Sequence, residues 1–143
     1  MSEEKKEIKL KRINAWVVYD NLRAIPPKEF DSVGQIKTLM NNVLPAFKGK
    51  IKEHVEMMMD FRAFNEKAIE DKMPRKDLEK KVEEVNRVWS TYNKEHGKEV
   101  VTVSLDKEAL GVLVVLFNKY GNKMFNTIEE FIEVEEAISK AGE

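Results

Sequence analysis

The chain has 143 residues, 42% of them hydrophobic and 36% charged, with 25 basic against 26 acidic side chains and no cysteine. That length suits one domain able to bury its own core. The missing cysteines exclude disulfides, thiol nucleophiles and cysteine-held metals, and the balanced charge makes a nucleic-acid partner an unfavoured expectation.

Residues 1–7 read as a flexible tail. Lys5, Lys6, Lys9, Lys11 and Arg12 make the start locally basic, but Glu3, Glu4 and Glu7 offset them, as in a solvated terminus. These charges leave no apolar core for a signal peptide. The longest apolar run, 110–117, falls well short of the roughly 20 residues of a membrane span. No membrane association and an intracellular location are the resulting expectations. Over 8–25, Ile13, Trp16, Val17 and Leu22 recur at helical spacing and predict a helix, although 15–19 also suits a strand. Pro26-Pro27 closes this segment.

Ser32 and Gln35 form a capping-box pair. Behind them Ile36, Leu39, Met40, Val43, Leu44, Phe47, Ile51, Val55, Met58 and Met59 step by threes and fours. The stripe continues through Phe61, Phe64 and Ala68. Pro45 lies inside the pattern, removes a donor and crowds the carbonyl four residues earlier. It predicts either a kink or two helices meeting. Over 74–96, Leu78, Val82, Val85, Trp89 and Tyr92 trace a heptad-like seam between a helix-starting Pro74 and a helix-stopping Gly97. The two segments predict an antiparallel hairpin whose shorter arm is about 33 Å long.

Residues 99–105 alternate and read as one short strand. A lone strand needs a partner, either the 7–12 stretch or another chain. Residues 106–120 are apolar nearly all round and predict a buried helix, with a strand over 112–117 as the alternative. Asn126 and Glu129 approximate a capping box for a last helix to about 140, with a seam of Ile128, Phe131, Ile132, Glu135 and Ile138. The expected fold is mostly α: one domain, 1–143, with a helical hairpin, a short β element and two C-terminal helices.

Chemistry-bearing motifs are sparse. The six glycines are scattered, so no phosphate loop forms, and no serine sits in a nucleophile elbow. His54, between Glu53 and Glu56, reads as a surface histidine. His96 reads as a cation at a helix C-terminus. Carboxylates abound without a marked pair, and the Glu-x-x-His motif of helical-bundle metal sites is absent. The expectation is a protein that is not an enzyme, with no catalytic residue, no cofactor and no metal.

Met57, Met58 and Met59 span most of a helix circumference, which predicts at least one exposed methionine on an adaptable surface. Met57, Met58, Trp89, Val101 and Val103 are the contact residues expected for a protein partner or for self-association. An inhibitor or regulator of a partner enzyme, using the charged surface for specificity, is the alternative reading.

An apolar first helix, the Leu44-Pro45-Ala46-Phe47-Lys48 segment, a long charged hairpin, residues 98–105 and the run Phe125-Asn126-Thr127-Ile128-Glu129-Glu130 follow in order. This layout, over about 13–138, resembles short uncharacterised proteins from the late, structural gene region of tailed bacteriophages. The resemblance implies a virion component, an assembly factor or a host-directed accessory protein, in the host cytoplasm or the virion. It brings no catalytic residues with it.

Overall fold

The computed structural model describes residues 5–142. It starts with a strand, β1 (Lys6–Lys11), paired antiparallel with β2 (Val100–Leu105). Ile8 faces Val103 and Leu10 faces Val101 across the ladder, and all four are buried while Lys9 between them is exposed. Of the two partners open to the second strand, the chain itself supplies the first. Two expectations are corrected here. Lys6 and Glu7 belong to the sheet, so the tail does not extend to residue 7; residues 1–4 lie outside the described residues. The helix read over 8–25 starts only at Arg12, because Ile8 and Leu10 repeat with period two, not 3.6.

Helix α1 (Arg12–Arg23) lacks a side-chain N-cap. Backbone carbonyls take that role: Arg12 N–H donates to the Glu99 carbonyl at 2.7 Å and Ile13 N–H to the Gly97 carbonyl at 3.0 Å. The donors left free at a helix start are thereby satisfied by the segment that enters β2. Ala15, Trp16, Val18, Tyr19 and Leu22 on α1 are buried.

Ser32 caps α2 (Val33–Thr38) by accepting from Gln35 N–H at 3.2 Å. The helix then widens into a π turn at Leu39–Val43 and resumes as α3 (Leu44–Lys48). The π turn explains how Pro45 is accommodated: widening the ladder just before the ring relieves both the missing donor and the crowding. The chain breaks only afterwards, at 49–51. Helix α4 (Lys52–Glu70) follows, so Pro45 does not itself divide the stripe.

The predicted hairpin is present, as α4 and α5 (Arg75–His96). Its turn carries Lys72 at φ 53°. Met73 N–H reaches the Ala68 carbonyl and Lys72 N–H the Ile69 carbonyl, the paired closure of a Schellman cap. Helix α4, with 19 residues, is the shorter arm, about 28 Å long.

Asp106 caps α6 (Lys107–Tyr120) by accepting from Ala109 N–H at 2.7 Å, and residues 112–117 are helical. Helix α7 (Ile128–Ala141) is capped by Thr127, one residue later than the sequence pairing suggested. Its buried residues are Val134, Ile138 and Ala141. Phe131 rests edge-on against Phe117, with ring centroids 5.5 Å apart. The core collects the inner face of the sheet, α1, α6, α7 and the α2–α3 segment. The fold is mostly α with one two-stranded sheet, the class expected. Among the described residues, no helix is long and apolar enough to cross a membrane.

Candidate functional site

The hairpin meets the rest of the molecule at a joint built from α1, the first turn of α4 and the last turns of α5. His54 lies at its centre with no exposed surface. Trp16 stacks on the imidazole at 5.8 Å, while Trp89 and Tyr92 meet it edge-on at 5.1 and 4.9 Å. Nε2 lies 2.7 Å from Asn93 Oδ1. An amide oxygen only accepts, so Nε2 carries the proton and Nδ1 is a bare lone pair. Nδ1 has no hydrogen-bond partner among the described residues. Burial holds the His54 pKa below its ordinary value and the Arg12 charge adds to that, against the opposing pull of Asn93 and Glu53. The ring is therefore neutral near pH 7. The surface position expected for His54 is corrected: flanking glutamates suggested exposure, but residues distant in sequence bury it.

Arg12 fastens the rim of this joint. Its guanidinium reaches Glu53 at 3.3 Å, Glu99 at 3.2 Å and the Tyr92 hydroxyl at 3.2 Å. Glu53 is held below the usual carboxylate range, first by a hydrogen bond from its own backbone N–H and also by Arg12, against a raising effect of burial. His96 lies over Tyr92 at 5.0 Å and pairs with Glu99 at 3.3 Å. That places it at the α5 C-terminus, as read from the sequence. A general base must reach a substrate proton; the fully enclosed His54 ring, with Nε2 engaged, offers no such reach. The joint is suited to hold the hairpin at a fixed angle.

Beyond the joint the hairpin is open. None of the 22 residues of α5 is fully buried. The seam Leu78, Val82, Val85, Trp89 and Tyr92 does turn toward α4, yet each of these is only half-buried. Beside the seam runs a groove of about 280 Å³, floored by Met57, Phe61, Phe64, Val85 and Val88 and edged by Asp60, Lys81 and Glu84. The Lys81 ammonium sits 5.5 Å from the Phe64 ring centre, within reach of a cation–π attraction.

The five expected contact residues part company. Met57 lines the groove. Met58 turns toward α1, where its sulfur lies 3.2 Å from Arg23 Nη2. Trp89 belongs to the aromatic joint. Val101 and Val103 are 9% and 0% exposed. They occupy the inward, core-facing positions of β2, so the reading of them as partner contacts is corrected. Met59, 56% exposed, is the surface methionine the run required. Sequence reasoning placed Phe61 and Phe64 on the apolar stripe of the first arm without expecting a groove there, and missed Val88, which lies beside the α5 seam rather than on it.

The fold is a helical hairpin rooted in a mostly helical body that carries a two-stranded antiparallel sheet. No protein-family model, curated protein or solved structure matches the chain.

Proposed function

We propose that this protein is a non-catalytic interaction protein, and that the α4–α5 hairpin is the arm it presents to a protein partner. One observation carries the reading. A 22-residue helix with a full heptad-like seam buries none of its residues completely, while Val88 beside that seam is 53% exposed. An apolar surface flanked by charges and held out on a braced arm suits docking more than it suits solvent. The rigid joint favours this role, because an arm held in one orientation loses little freedom on binding. Within the resemblance to phage late-region proteins, the arm would serve assembly, in the host cytoplasm or the virion.

A photo-crosslinking residue at Val88, in full-length chain exposed to its native extract, is expected to give a discrete protein adduct. The same residue at Lys119 on α6 is the control. Adducts from Lys119 but none from Val88 would defeat the proposal. A Val88 adduct with an enzyme would move the role from assembly to regulation.

A further inference from the structure

We infer that the α4–α5 groove is covered by the same groove of a second copy, two hairpins completing a four-helix bundle, a pairing that presupposes the hairpin is the binding arm. Two helices alone bury one seam; apolar residues beside it stay wet until two more helices close over them. In this chain Val88 is 53% exposed, and Phe61 and Phe64 on the groove floor are only half-buried.

The charges at the groove edge choose the occupant. A two-fold contact brings a surface against itself, so the surface must be self-complementary. Lys81 and Glu84 lie one turn apart on α5, and within the chain they pair only loosely, at 3.8 Å with side chains 39% and 61% exposed. When two copies of α5 cross antiparallel about a point between these positions, each Lys81 faces the Glu84 of the other copy. A net charge of −1 opposes the approach of two copies very little. From Met57 to the turn the open face is about 20 Å long and two helices, about 20 Å, wide. That offers on the order of 400 Å² per copy, the range of weak and reversible association.

Sedimentation of the full chain from about 1 to about 500 μM should show a monomer–dimer equilibrium, weakening in the micromolar range or above. Lys81→Glu sets like charges opposite each other and should raise the dissociation constant by about tenfold or more. Adding Glu84→Lys in the same chain should bring it back to within about threefold of the starting value. Val88→Glu should raise it by at least about tenfold, with an unchanged circular dichroism spectrum confirming the fold. A monomer at every concentration would overturn the pairing, as would a dimer indifferent to Val88→Glu. A monomer that still yields a Val88 photo-adduct with another protein rejects the second copy and leaves the hairpin as the arm. A monomer with no such adduct rejects both.

Discussion

Protonating His54 would place a charge among three aromatic rings, near the Arg12 guanidinium and on a nitrogen that lacks an acceptor among the described residues. The unfolded chain imposes no such penalty, so the folded pKa lies below the unfolded value of about 6.5. Below that value the unfolded state binds more protons than the folded one, and stability falls with pH. The contribution is complete above about pH 6.5 and is lost as pH drops through the depressed folded pKa. A single proton limits the slope to about 1.4 kcal/mol per pH unit. Urea denaturation at steps from pH 7.5 to pH 5 should show this slope. His54→Phe, which keeps a ring and removes the titration, should flatten it relative to the unaltered chain. Identical profiles for the two proteins would show that the imidazole is not held neutral by burial. Neither the burial of His54 nor its neighbours was legible locally. Glu53 and Glu56 make the stretch look solvated, while Trp16 and Trp89 arrive from 38 residues before it and 35 after it in the sequence.

At the scale of elements, what the sequence made legible was whatever local periodicity decides. The α5 seam, the turn before Pro74, the Ser32 cap and the buried α6 all follow from spacing within a few residues. Strand β1 has only two inward residues, Ile8 and Leu10, set among lysines. Its pairing depends on β2, about 95 positions away in the ladder, and the period-two pair Ile8 and Leu10 was too short a local signal to separate it from the helix it joins. Helix α7 shows a subtler failure: Phe131 and Ile138 of the expected seam do face the core, but Ile128 and Ile132 do not, and Val134 was missed. Ile128 is 81% exposed and Ile132 44%, whereas Val134 is completely buried. The face is fixed by packing of Phe131 on Phe117 and of α7 along β1, together with the Lys11–Glu133 pair at 3.1 Å. Val134→Asp should therefore cost about 3 kcal/mol or more, the penalty for an unpaired buried carboxylate. Ile128→Asp should stay within about 0.5 kcal/mol, since it is exposed and puts an acid in the first turn of the helix. Thermal melts of the two variants would check the assignment; equal losses would return Ile128 to the seam.

For the molecule as a whole, the layout implies a gradient of stability along the hairpin. The root is held by the His54 aromatic cluster and the three contacts of Arg12. The far end, from Ala68 through Leu78, has the Schellman turn and Ala68 as its one buried side chain. Local opening costs least where few apolar contacts must be broken. Amide exchange should therefore be fastest around the turn, intermediate through Val82 and Val85, and slowest in α1, α6 and the β1–β2 ladder, whose residues form the shared core. The four-helix pairing adds a second dependence. Raising the protein concentration from well below to well above the dissociation constant should slow exchange in α4 and α5 and leave α1 and α6 unchanged, because only the open hairpin gains a cover. Mass spectrometry of exchange at two concentrations resolves both effects. Uniform protection along α5 at low concentration would mean that the arm is stabilised along its whole length by its own two helices, and the exposed apolar groove would then have no energetic reason to seek a lid.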